Sequence, residues 1–224
     1  MNYQLELDNI IDKIVKGRER AENGHASNVQ ASEQGNEPAQ TFVKPSLLLH
    51  SCCGPCSSYV LEYLSDYFDI TVFYYNPCIF PLEEYTHRKN VQKELISRMN
   101  SEGRTIHFVD GDYNHDSFLD CVKGLENEPE GGERCHKCYR QRLLRTAEIA
   151  ASGNYDFFTT TLTVSPYKNA AVLNELGLEI SRSYGVPYLL SDFKKRNGYK
   201  RSIELSKVYN LYRQNYCGCE FSVR

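Results

Sequence analysis

The 224-residue chain carries 41% apolar and 25% charged side chains, an ordinary globular mix that excludes a wholly disordered chain and leaves room for one core plus an appendage. A formal charge of −3 excludes a uniformly basic nucleic-acid binder, though not local basic patches. No apolar stretch approaches the roughly 18 residues of a spanning helix and the start lacks a secretory pattern, so we expect no membrane partner and a cytoplasmic location.

Leu5, Ile10, Ile11, Ile14 and Val15 recur at helical intervals among charges, so an amphipathic helix is expected over 1–22. Residues 23–42 are small and polar and read as a flexible linker, with the catalytic domain spanning 43–224. From there short apolar runs alternate with amphipathic segments. Strands are expected at 46–50, 70–76, 105–111, 156–162 and 187–192, and helices near 57–66, 82–101, 134–153 and 166–184. This alternation predicts an α/β fold, a doubly wound, mostly parallel five-stranded sheet with an N-terminal helical extension. In such sheets ligands gather beyond the carboxyl ends of the strands.

Nine cysteines in a reducing compartment point to metal or redox chemistry in preference to structural disulfides. Cys52, Cys53 and Cys56 follow the first strand directly, Cys135 and Cys138 open the helix before the fourth, and Cys217 and Cys219 form a C-x-C. Cys78 and Cys121 stand alone and read as ordinary buried thiols.

Three readings of these thiols stand open. Cys53-Gly54-Pro55-Cys56 resembles the thioredoxin redox motif, where a helix N-terminus activates a thiolate, and suggests a thioredoxin-like dithiol oxidoreductase. However, no Trp precedes it and further strand–helix units follow it. Cys53, Cys56, Cys135 and Cys138 could instead hold structural zinc in an RNA- or nucleotide-binding module. Cys52, Cys53, Cys135 and Cys138 could surround a [4Fe–4S] cluster if the two loops converge. That leaves Cys56, Cys217 and Cys219 as a second thiol group, able to bind another metal ion or to cycle as dithiol and disulfide.

The segments HSCCGPCSSYVLEYL, YYNPCIFPLEEYTHRK, GGERCHKCYRQRL, TTTLTVSPYKN, DFKKRNGYKRSIELS and YRQNYCGCEFS, spread in order over about 46–222, together resemble epoxyqueuosine reductases of the QueH type. The resemblance implies a cobalamin-independent oxidoreductase that reduces epoxyqueuosine to queuosine at the wobble position of tRNA, the last step of queuosine synthesis. It implies Cys52, Cys53, Cys135 and Cys138 as ligands of a [4Fe–4S] cluster. Cys217 and Cys219 become the catalytic redox-active or metal-binding pair, and Cys56 joins them as a possible ligand of a second iron. Cys78 stands where the family is expected to carry Asn, and we leave it outside the cluster. The implied fold is that of the adenine-nucleotide α-hydrolases (HUP-like). Thiols occupy its phosphate loop here, so ATP is not expected. An electron donor such as ferredoxin or flavodoxin is required.

Removing an epoxide oxygen takes two electrons and two protons, which suits a cluster relaying electrons beside thiols that receive the oxygen. A tRNA partner needs phosphate contacts. Two basic runs offer them: Arg134, Lys137, Arg140, Arg142 and Arg145, and Lys194, Lys195, Arg196, Lys200 and Arg201. Tyr167 and Tyr199 could stack on an unpaired base. His50, His87, His115 and His136 are ambiguous, His136 being the candidate proton donor or cluster tuner. Asp110, Asp112 and Asp192 at strand ends could act on substrate or cap helices.

Overall fold

The computed structural model describes residues 1–28 and 42–222. Four strands, β1 (Ser46–His50), β2 (Asp69–Tyr74), β3 (Ile106–Asp110) and β4 (Phe157–Thr160), form one sheet in the order β3-β2-β1-β4, and every pairing is parallel. Leu47 of β1 lies opposite Ile70 of β2 and Phe157 of β4, which fixes the register. Side chains alternate across a strand. Leu47 and Leu49 therefore enter one apolar cluster, while Leu48 enters another with Phe158.

Helices cover both faces. α1 (Tyr3–Asn28), α2 (Gly54–Leu64) and α7 (Gly198–Val208) supply Leu7, Val60 and Leu205 to the cluster around Leu47 and Leu49. α3 (Leu82–Ser101) adds Leu95 and Met99 to it. α5 (Glu133–Ser152) and α6 (Ala170–Tyr184) supply Leu143 and Leu173 to the other face. The α6 start follows from its cap: Asn169 Oδ1 accepts from the Ala171 amide at 2.9 Å. The short α4 (His115–Val122) is capped likewise by Asn114, at 3.1 Å from the Ser117 amide.

The sheet has four strands, not the expected five. Segment 187–192 does meet β4, where Phe158 N donates to Pro187 O and Leu189 N to Phe158 O, but only Phe158 and Tyr188 form a bridge. Beyond it the backbone is captured by side chains. Thr159 Oγ1 donates to Leu189 O, and Asn174 both receives the Ser191 amide and donates to Ser191 O. β4 itself turns into a 3-10 helix at Thr161–Val164, so no ladder can continue. α1 runs six residues past its expected end at 22. The part of the expected linker over 29–41 lies outside the described residues.

The strand order reverses at β1: β2 and β3 lie on one side of it, β4 on the other. In open parallel sheets the crevice at that switch point is where ligands bind. The loops leaving β1 and β4 carry Cys52–Cys56 and Thr161–Lys168.

Candidate metal centre

β1 delivers the chain to Ser51, whose amide still bonds Phe73 O at 3.0 Å, and then to three thiols. The loop is held from below. Ser51 and Ser57 hydroxyls both donate to Gln92 Oε1 at 2.7 Å, and Asn76 Nδ2 donates to Ser51 O at 2.8 Å. Cys53 is the extended residue before α2, and Pro55 sits in the first turn, where its missing N–H costs nothing. Gly54 packs closely on α3, where a Cβ would stand 3.0 Å from Val91 Cγ1.

The sulfurs of Cys52, Cys53 and Cys56 lie within 4.8 Å of one another, and Cys52 Sγ to Cys53 Sγ is 3.8 Å. That separation equals the edge of a tetrahedral site with metal–sulfur bonds of about 2.3 Å, which is about 3.8 Å. The cysteine cluster can therefore bind a metal. Hydrogen bonds from Cys53 and Cys56 lower the Cys52 thiol well below its usual range, while the bond with Cys52 pushes Cys53 up to about 12.

The other predicted thiols gather on the same side of the sheet. Cys138 is buried in the first turns of α5 beside Cys78 and Cys219, and half-buried Cys135 packs against the cluster that Cys52 also borders. Cys135 Sγ accepts from Gly131 N at 3.2 Å. A cavity of about 330 Å³ is lined by Cys52, Cys53, Cys56, Cys78 and Cys217. Cys56 therefore stands with Cys52 and Cys53, while also sharing the cavity with Cys217. Cys219 is buried in the apolar cluster with Cys78 and Cys138, and its carbonyl accepts from the Ser222 hydroxyl at 2.8 Å. Cys78 was expected to be an isolated core thiol, but it is on the cavity wall. Cys121 lies away from the cavity, 3.7 Å from Lys137 O.

Cations surround these thiols. Arg142 is 2% exposed, lines the cavity, and donates from Nε to Cys138 O at 3.2 Å, while its Nη2 has no partner. Burial opposes its charge, yet Cys138, Cys78 and Cys217 outweigh that and raise its pKa. The same competition raises Lys168, where Cys217 and Cys52 overcome burial. Arg88, 2% exposed, completes the set. Buried cations call for anions: Glu84 meets Arg88 at 2.6 Å, and Glu130 stands on the same wall as the thiols.

The sequence model described as Epoxyqueuosine reductase QueH matches residues 47–224. The chain belongs to the QueH family. Curated relatives named epoxyqueuosine reductase QueH include one from Streptococcus pyogenes serotype M1, 45% identical over 81% of this chain and 72% of its own. Another, from Acinetobacter baylyi, is 38% identical over 80% of each chain. The relative from Thermotoga maritima is 34% identical over 80% of this chain and 90% of its own. In this QueH family member the three cysteine groups all fall within the matched span, and α1 falls outside it.

The basic residues separate. Arg134 is buried and donates to the carbonyls of Leu125, Glu126 and Glu128 at 3.3, 2.8 and 2.5 Å, so it pins a loop and is turned away from solvent. Arg142 faces the thiols, as described. Arg140 grips Glu179 with two bonds, Arg145 pairs with Glu148 and Asp112, Lys194 with Asp192, and Arg196 with Asp8. Arg201 pairs with Glu62 and Glu204. Lys137, Lys195 and Lys200 are exposed.

Tyr167, 76% exposed, and half-buried Tyr199 line the cavity. His50 is fully buried between Thr160 Oγ1 at 2.8 Å and Tyr75 O at 3.0 Å. A carbonyl only accepts, so Nε2 carries the proton, and burial pushes the imidazole down to about 4. His136 lies 3.7 Å from Glu133, His115 bonds Pro77 O and Glu220, and His87 packs on Tyr212. Asp110 is paired with Lys89 and Lys93.

Sequence reasoning missed Asn76, Arg88, Lys168 and Gln214, all on the cavity wall. Arg88 left a readable signal. The buried stripe of α3 runs Tyr85, Arg88, Gln92, Leu95, Met99, with two polar residues at positions that a helix sends to the core.

Proposed function

We propose that this family member reduces epoxyqueuosine to queuosine at the wobble position of tRNA, with Cys52, Cys53, Cys135 and Cys138 as ligands of a [4Fe–4S] cluster. The observation that carries this reading is the meeting of thiols and buried arginines on one cavity. Such a wall suits an anionic thiolate-bound cluster, since Arg142 keeps an unpartnered nitrogen among Cys138, Cys78 and Cys217. When bound, the cluster supplies single electrons.

In the overall reaction both carbon–oxygen bonds of the epoxide break, an alkene forms, and the oxygen leaves as water after uptake of two electrons and two protons. The electrons come from an external one-electron carrier of the ferredoxin or flavodoxin class. Cys217, on the cavity wall, and Cys219, across Gly218, act beside the cluster as a redox dithiol or as ligands of a second iron, with Cys56 within reach of either group. Tyr167 and Tyr199 offer ring faces to an unstacked base. Lys137, Lys195 and Lys200 are the cations free to meet phosphates. We also read the parallel order with its reversal at β1 as that of the adenine-nucleotide α-hydrolases, with thiols in place of the phosphate loop. The domain assignment that goes with it is 43–224 for the catalytic unit and 1–22 for an added helix.

Anaerobic purification followed by iron, acid-labile sulfide and zinc analysis tests the cluster. We expect about four irons and four sulfides per chain, both lost in Cys53→Ser. Zinc without sulfide would contradict the proposal.

A further inference from the structure

We propose that Arg88 is a substrate-binding residue whose free guanidinium nitrogen holds the epoxide oxygen against the thiol wall. The assignment rests on the epoxyqueuosine reductase reading above and extends it to a residue outside the cysteine set.

Arg88 rises from α3 with its side chain 1% exposed, and two of its three nitrogens are occupied. Nε donates to Glu84 Oε1 at 2.6 Å, and Nη1 donates to Cys217 O at 3.0 Å. The guanidinium carbon also lies 5.0 Å from the centre of the Tyr216 ring. Gly218 is needed for this clamp. Its φ of 112° lies in the region glycine favours, and a Cβ there would come within 2.8 Å of Arg88 Nη1. Gly218 O in turn accepts from Phe80 N at 2.9 Å.

The guanidinium is therefore fixed in position and plane by acceptors on two sides. Nη2 is buried and has no hydrogen-bond partner, and Arg88 lines the cavity with Cys217. An unpartnered buried donor is costly to keep, and a ligand oxygen would satisfy it. Arginine stays charged at any working pH. It therefore serves here as a fixed donor whose bond strengthens as the oxygen gains negative charge, and not as the source of the proton.

The two other cations fit this task less well. Arg142 donates to Cys138 O at 3.2 Å, and Cys138 and Cys78 favour its charge, so it belongs to the sulfur side. Lys168 reaches the cavity from the loop after β4 on a flexible stem. Arg88 alone ties the C-x-C loop to the place where oxygen would be received.

The test compares affinities for tRNA carrying epoxyqueuosine and tRNA carrying queuosine, which differ only in that oxygen. The holoenzyme is used as wild type, R88Q and R88K, each checked for iron content and thermal midpoint. Wild type should reduce the epoxide and bind it more tightly than the product. R88Q should lose roughly 10- to 100-fold in affinity for the epoxide form with product affinity unchanged, and R88K should lose less.

Should R88Q and R88K bind both tRNAs as wild type does, or lose both equally, the assignment of Arg88 is overturned. A wild-type holoenzyme that leaves epoxyqueuosine unreduced would instead overturn the functional reading on which the assignment rests.

Discussion

Among the residues, the cysteines divide by what surrounds them. Cys52, Cys53 and Cys56 form the compact triad, while Cys217 reaches the same cavity from a loop clamped by Arg88 and Phe80. If Cys52, Cys53 and the α5 pair hold the cluster and the C-x-C handles the oxygen, the two roles separate by mutation. Replacing both Cys217 and Cys219 with Ser should abolish turnover and leave the visible absorbance of the cluster in place. Retained turnover, or loss of absorbance in step with activity, would contradict that division. The pairing of cysteines with strand ends was legible in the sequence because thiols are rare and their spacing is informative. The roles of the arginines were not. Arg134 and Arg142 read as phosphate contacts by charge alone, but both are 2% exposed and bond backbone carbonyls. Burial of a charge is decided by tertiary packing, and one-dimensional patterns do not carry it.

Among the elements, β1 to β4 were legible because each is a short apolar run bounded by polar or turn residues, and α2, α3, α5 and α6 because their apolar spacing is helical. Segment 187–192 has the same apolar pattern as a strand. It fails to extend because Thr159 and Asn174 take its hydrogen bonds, which no periodicity records. The short α4 was missed because 8 residues give too few turns for a clear period, and α7 because its sequence, GYKRSIELSKV, holds only three aliphatic side chains, Ile203, Leu205 and Val208.

α1 shows that a helix outside the matched family span can still belong to the core. Leu7 is fully buried and Ile11 7% exposed within the cluster of β1 and α2, and Asp8 pairs with Arg196 at 2.5 Å. Leu7→Ala should therefore destabilise the protein by about 3 kcal/mol, the middle of the range for a buried leucine. The urea midpoint should fall with the slope unchanged. No change in midpoint would mean that α1 contributes nothing to the fold.

At the scale of the whole molecule, a parallel sheet places its switch point beside β1, and the fold uses that crevice to collect thiols from three distant stretches of sequence. Among the described residues no helix is long and apolar enough to cross a membrane. The net charge is negative, yet Arg88, Arg142 and Lys168 stand around the cavity, while most of the surface arginines are paired. Tyr167 and Tyr199 line this cavity, whereas Lys137 and Lys195 border other hollows.

The central claim is the conversion itself. Holoenzyme purified and reduced without air is incubated with tRNA bearing epoxyqueuosine, and the digested nucleosides are resolved by mass. The account predicts that the epoxide nucleoside disappears as a product lacking one oxygen appears in equal amount, and that Cys53→Ser yields none. Unchanged epoxide after incubation with cluster-loaded, reduced protein would contradict it.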